Sequence, residues 1–346
     1  MSEPVAPPPD SSSPRRSRLD RWYGWFGVLR RLTSIMIWGL VAIGLVLRFT
    51  VRDRFHPWAL FFYVTPIPSL PIWMLLAGTI GSPGRTWRRN TETTRATTWL
   101  SPQRLNLIAG LFFTVWTLSS EYLHRAQPPS PQDLRLVFWN VARVQAGVDR
   151  LATQLRTFQA PVIGLVEADR KYHVNIDEWQ REFPEYEVRP TDFGGLIAVK
   201  GKVISQQLHY LTAQSFCEQF DLEIDETHFT VLLVDIASDL LRSRRRPLLA
   251  LAKLADELAD RPVVIMGDFN TPDDSVWMTA LQRHHRRAFR ERGTGYAATW
   301  PMPLPVLTLD QVWVNERVST SSCEPDWNFL SDHRAVISHV SFARNH

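Results

Sequence analysis

A chain of 346 residues that is 45% hydrophobic and 21% charged is long enough for two domains and too apolar to be a disordered polymer. Its formal net charge of +4 would suit a polyanion-binding protein, but residues 1–131 carry 15 Lys/Arg against 6 Asp/Glu and residues 132–346 carry 24 against 29, which argues against a nucleic-acid-binding surface over the second part. Two cysteines, Cys217 and Cys323, exclude a disulfide framework and a zinc site of four close ligands, leaving one disulfide or two buried thiols.

Residues 1–31 read as a basic tail that is Pro-, Ser- and Arg-rich up to Arg18, with little to bury and therefore disordered. No small-residue cleavage site follows the first apolar block, so the start does not read as a signal peptide. Three apolar blocks follow within 32–122 and predict a transmembrane region. The first covers 32–48. The second covers 58–80 despite Pro66, Pro68 and Pro71, and the third covers 105–120, with a core helix of the following domain as its alternative. Six arginines precede the first block, three (Arg48 at its end, Arg52 and Arg54) lead to the second, and five separate the second from the third. Because Lys/Arg-rich loops stay in the cytoplasm, a cytoplasmic N-terminus, three membrane crossings and an extracytoplasmic C-terminal domain are expected. Residues 123–133, which include QPPSPQ, read as a stiff linker.

From 134 to 343 the pattern changes to short apolar strands separated by helical stretches. Strands are expected at 135–139, 162–166, 196–199, 216–224, 229–234, 263–266, 311–314 and 335–340. Leu248, Leu251, Leu254 and Leu258 recur at helical spacing and predict a helix over 247–259, with Pro247 in its first turn. Two arginine clusters, 242–246 and 283–292, read as solvated helix faces ahead of a phosphate-steering patch, and the histidines other than His333 read as solvated.

Several strands end in a polar residue that a purely structural sheet does not need. LRLVFWN ends in Asn140, VIGLVE in Glu167, FTVLLVD in Asp235, and VVIMGDFN in Asp268 and Asn270. LTLDQV contains Asp310, and the last motif, LSDHRAVI, contains Asp332 and His333. Carboxylates converging at one sheet edge repel unless a cation sits among them, and hard oxygen donors favour Mg²⁺ or Mn²⁺. Gly267 is expected to let the chain turn sharply beside Asp268.

Taken in order, FWN, GLVE, GDFN, TWP with LDQV, and SDH resemble the endonuclease/exonuclease/phosphatase superfamily over about 134–342. The ATWP stretch and the preceding apolar blocks look most like its membrane-bound bacterial branch, of the teicoplanin-resistance type. The resemblance implies an α/β fold, a four-layer sandwich of two packed β-sheets flanked by helices. It implies that Glu167 ligates the metal, that Asn140 helps to position it, and that Asp332 completes the oxygen shell. Asp268 would orient and deprotonate the attacking water, Asn270 would stabilise charge on the phosphoryl oxygens, and His333, held by Asp310, would contact the phosphate or relay a proton. Asp235 stands where many members carry histidine. It is therefore a metal ligand, a carboxyl that stays protonated, or the mark of a degenerate domain that only binds. The expected activity is divalent-metal-dependent hydrolysis of a phosphodiester, phosphomonoester or pyrophosphate. A lipid-linked substrate at the bilayer is preferred over nucleic acid, because the domain is acidic and sits beside a membrane.

Overall fold

The computed structural model describes residues 18–55, 57–81, 102–169 and 174–342. Helix α1 (Arg18–Phe49) begins well inside the expected tail. Residues 18–31 are thus helical, because Trp22, Trp25, Phe26, Val28 and Leu29 extend the apolar run toward the N-terminus; residues 1–17 lie outside the described residues. Within α1, Trp25–Phe49 has a mean hydropathy of 2.0 and is the one helix among the described residues long and apolar enough to cross a membrane.

The expectation of three spans is corrected to this one candidate. Proline splits the second block into α2 (Ala59–Val64), a 3-10 turn (Ile67–Ser69) and α3 (Leu70–Gly81). Pro66 takes an extended conformation before the turn, and each piece is shorter than a bilayer crossing requires. The third block is α4 (Pro102–Glu121), whose apolar middle is bounded by Gln103, Arg104 and Asn106 at one end and Glu121 at the other. It packs on the first two blocks through Ile37, Val41, Leu70, Met74, Ala77 and Phe113. Trp38 Nε1 donates to Asn106 Oδ1 at 2.8 Å and Thr117 Oγ1 to Ile67 O at 3.3 Å. The arginines between 82 and 101 lie outside the described residues.

The expected linker is part of the folded domain. Strand β1 (Tyr122–His124) pairs antiparallel with β11 (Thr294–Tyr296), and Gln127 N donates to Ser321 O at 2.8 Å. Leu123 reaches the main core, so the connection is held by burial as well as by hydrogen bonds.

Two six-stranded mixed sheets follow. One has the order β10 (His285–Arg287), β12 (Asp310–Asn315), β9 (Val263–Asp268), β8 (Thr227–Asp235), β7 (Ser215–Ile224), β6 (Lys202–Thr212). The other runs β13 (Val318–Pro325), β14 (Val336–Phe342), β2 (Leu134–Asn140), β3 (Val162–Val166), β5 (Leu196–Val199), β4 (Glu187–Pro190). The parallel pairs β2–β3 and β8–β9 are joined by the crossover helices α5 (Val148–Thr157) and α7 (Arg245–Glu257). Helix α6 (Ile176–Glu182) joins α5 over one sheet, and α7 lies with a 3-10 segment (Val276–Arg283) over the other; the short α8 (Ala288–Arg292) lies next to β10. The result is the helix–sheet–sheet–helix sandwich expected from the motifs. Its central layer is built from Phe138, Val166, Phe220, Leu233, Met266, Val312 and their neighbours.

The eight expected strands and the helix near 247 form within a few residues of their expected limits. Strands β4, β6, β10, β11 and β13 were not anticipated. β6 is an edge strand with mostly exposed side chains, and β10 and β11 have three residues each. Cys217 and Cys323 are free and buried: Cys217 faces α7, whereas Cys323 lies between the sheets, so no disulfide joins them.

Candidate active site

Side chains of a strand alternate between faces, so every second residue of β2, β8, β9 and β12 points into the layer between the sheets. Leu136 and Phe138 lead to Asn140, Val231 and Leu233 to Asp235, and Val264 and Met266 to Asp268; Val312 and Val314 share the face of Asp310. Each of these apolar rows ends in a polar group at the same mouth. Asp268 is in register with Asp235 on one neighbour and Asp310 on the other, which sets three carboxyls side by side. Gly267 does not make the expected turn. It lies within β9, where a Cβ would meet Val234 O at 2.2 Å, and the turn falls at Asn270, with φ 44°. Glu167 also takes a left-handed conformation, φ 51°, as it leaves β3.

Hydrogen bonds tie the cluster together. Asn140 Nδ2 donates to Asp268 Oδ2 at 3.0 Å and to Glu167 Oε1 at 3.3 Å, while its Oδ1 accepts from Ala142 N at 3.0 Å. Asp268 Oδ1 accepts from Asn270 N at 2.8 Å. His333 Nδ1 lies 2.9 Å from Asp310 Oδ2, and its Nε2 lies 3.9 Å from Asp268 Oδ2. Thr299 Oγ1 accepts from Asp310 N at 3.1 Å, and Ser331 Oγ donates to Asn140 O at 2.7 Å while accepting from His333 N at 3.1 Å. Ser331 thereby fastens the SDH segment to the end of β2.

The electrostatics follow from burial and from like charges in contact. Burial first, then Asp268 and Glu167, push the Asp235 carboxyl up to about 8. Burial and Asp310 raise Asp268 to about 6, with His333 pulling the other way. Burial acts to lower His333, but Asp310, Asp268 and Asp332 outweigh it and raise the imidazole to about 10. The His333 imidazolium therefore faces Asp268 and Asp310 in a buried triad, with Asp235 and Glu167 beside it. Asp268, Asp310 and His333 each place a ligand atom within 4.8 Å of the others, and oxygen donors in this number suit a hard divalent ion.

Seven of the eight expected site residues converge here. The eighth, Asp332, is exposed at the rim, with Oδ2 accepting from Trp300 Nε1 at 3.1 Å, outside the buried cluster. Asn270 is present with its amide engaged, Nδ2 donating to Ile236 O at 2.7 Å. Sequence reasoning missed Arg143, whose guanidinium lies 3.6 Å from Glu167 and 3.9 Å from Asp169 at the mouth. It sits in a run of left-handed residues, 142–144, that no residue type announces. Gln311 points away, donating to Thr271 O and Thr308 O. The arginine clusters are solvated only in part: Arg242, Arg245, Arg246, Arg283 and Arg286 are exposed, as expected. Arg244 is buried and donates to Asn270 O at 3.2 Å, Arg287 and Arg290 bind Asp273, and Arg242 binds Asp239. His285 is buried, and neither ring nitrogen has a partner among the described residues.

The sequence matches the Endonuclease/Exonuclease/phosphatase family over residues 137–333, without singling out a membrane-bound branch. No curated protein matches it. Similar solved structures include an endonuclease/exonuclease/phosphatase from Bacteroides vulgatus, at 18% identity and a TM-score of 0.51 over 61% of this chain and 99% of that one. The mannosyl-6-phosphatase of Bacteroides thetaiotaomicron is 12% identical, with a TM-score of 0.53 over 60% and 100%. The human Nocturnin catalytic domain with bound sulfate is 15% identical, with a TM-score of 0.50 over 62% and 97%. Likeness at these identities shows the shared fold.

Proposed function

The chain belongs to the endonuclease/exonuclease/phosphatase family, and from that premise we propose that it is a membrane-anchored, divalent-metal-dependent phosphoesterase acting on a lipid-linked phosphate, phospholipid head group or pyrophosphate. The observation that carries the reading is the convergence of Asn140, Glu167, Asp235, Asp268, Asp310 and His333 at one mouth of the sandwich.

Glu167 would hold Mg²⁺ or Mn²⁺, with Asn140 positioning its carboxylate, while Asp332, at the rim on Trp300 Nε1, is left out of the shell. When bound, the ion would neutralise the clustered carboxylates and polarise the phosphoryl group. Asp268, raised toward neutrality, is poised as general base: it orients a water and takes its proton as the new P–O bond forms and the ester P–O bond breaks in line. His333 stays cationic at neutral pH through Asp310 and stabilises charge on the phosphoryl oxygens. The Asn270 amide, anchored on Ile236 O, offers its second N–H to the same oxygens.

Three features support a membrane substrate: the apolar span in α1, the excess of acidic residues beyond 131, and the salt bridge from Arg48 near the end of that span to Asp274, four residues past Asn270. One specific observation favours a second reading, a domain that binds without turnover, because an acid occupies the Asp235 position. The full-length protein in detergent, given Mg²⁺ or Mn²⁺, should hydrolyse lipid pyrophosphates or phospholipids faster than duplex DNA. Faster cleavage of DNA would overturn the substrate assignment, and no metal-dependent cleavage of any of them would favour the degenerate reading.

A further inference from the structure

The segment just past Asn270 is held from the far end of the chain. Asp53, in the turn after α1, is 4% exposed, and its carboxylate receives three donors. Val276 N donates to Oδ1 at 2.9 Å, Tyr63 OH donates to Oδ2 at 3.0 Å, and Ser275 Oγ donates to the same Oδ2. Trp277 Nε1 donates to Asp53 O at 3.3 Å. One residue earlier, Asp274 binds Arg48, whose guanidinium also donates to Phe62 O and Thr65 O at 2.9 and 3.2 Å. An acidic side chain some 220 positions away thus caps the first turn of the 3-10 segment 276–283, where the free N–H groups favour negative charge.

The capped segment is short and leads directly to the site. Between Asp268 and Ser275 the chain is pinned by Asn270 N on Asp268 Oδ1, by Arg244 on Asn270 O, by Gln311 on Thr271 O and by Ser275 N on Pro272 O. Asn270 itself sits at a left-handed φ that its neighbours must enforce. We propose that Asp53, supported by Arg48 and Tyr63, is a positioning residue for Asn270. The helical N-terminal segment is then part of the catalytic scaffold rather than a passive tether. This rests on the hydrolytic reading of Asp268 and Asn270 given above. An isolated domain lacking the helices would leave Ser275 Oγ and Val276 N without their acceptor and would lose the placement of the Asn270 amide.

The test is a double-mutant cycle on the full-length protein in detergent, with Mn²⁺ and bis(p-nitrophenyl) phosphate. Asp53→Ala should lower kcat by about 10- to 100-fold, the scale of a misplaced catalytic group, with KM and Mn²⁺ affinity within about threefold of wild type. Asp53→Asn, which keeps an acceptor for Val276 N, should recover much of that loss. If Asp53 acts through Asn270, the pair Asp53→Ala with Asn270→Ala should be no slower than Asn270→Ala alone. Multiplied losses in the pair, or wild-type kcat in Asp53→Ala, would overturn the proposal. Should Asp53→Ala fail to fold, Ser275→Ala, which removes the Ser275 Oγ donor to Asp53, paired with Asn270→Ala carries the same comparison, and wild-type kcat in Ser275→Ala then counts against the proposal. Wild-type rates in Asp268→Asn and Asn270→Ala would instead sink the parent hydrolytic reading, so the two failures are distinguishable.

Discussion

Asp235→Asn removes a carboxyl that the fold holds in its neutral form. Its value near 8, against 3.8 for an ordinary aspartic acid, means that the native protein binds one more proton than the unfolded chain between those limits. Stability must therefore fall as pH rises through that window. Three pH units, from 5 to 8, at about 1.4 kcal/mol per unit set an upper bound near 4 kcal/mol on that decline. Asp235 is half-buried and partly screened by solvent, so about 2 kcal/mol is the expected size. Asparagine carries no such penalty, so the gap in Tm between variant and wild type, measured on metal-stripped protein, should widen by about 4–8 °C from pH 5 to pH 8. Mn²⁺ should narrow or reverse it, since a cation beside Asp235 rewards the ionised carboxylate. Melting curves with EDTA and with Mn²⁺ at both pH values make the measurement. A gap that is the same at pH 5 and pH 8 would refute the claim that burial, with Asp268 and Glu167, keeps Asp235 protonated.

Turnover should fall in both Asp235→Asn and Asp235→His if the site is adapted to an acid at this position; steady-state rates on a common phosphodiester decide it, and a gain with histidine would mark the domain as degenerate. Glu167→Gln should lower Mn²⁺ affinity and activity together, whereas Asp268→Asn should leave affinity nearly intact and cost roughly two to four orders of magnitude in kcat; isothermal titration beside kinetics separates the two. Asp310→Asn should lower the His333 titration midpoint from about 10 by at least about two units, read from imidazole NMR shifts, and an unmoved midpoint would mean that Asp310 does not hold the imidazolium. A single crossing by α1 with a cytoplasmic N-terminus puts the catalytic domain outside, so a C-terminal alkaline phosphatase fusion should be active in a bacterial periplasm. An inactive fusion would reverse the orientation.

The domain fold and most of the residues that meet at the candidate site were legible in the strand pattern. Period-two apolar runs ending in Asn140, Asp235 and Asp268 carry both pieces of information at once, because alternation fixes which face is buried and hence where the terminal polar group must point. What it could not carry was anything set by partners distant along the chain. Three apolar blocks looked like three crossings because hydropathy ignores where proline breaks a helix and which helices cover one another. β1 read as linker because three residues give no periodic signal until β11 lies beside them. Arg287 and Arg290 looked solvated because their acceptor, Asp273, is brought to them only by folding. Arg143 owes its place at the mouth to a left-handed turn with no residue signature, and Asp332 was drawn outward by the indole of Trp300. Asp53 reads as one acid in a short basic turn after α1. Folding alone sets it against Ser275, because a buried carboxylate must find donors, and two of its three lie more than two hundred residues away.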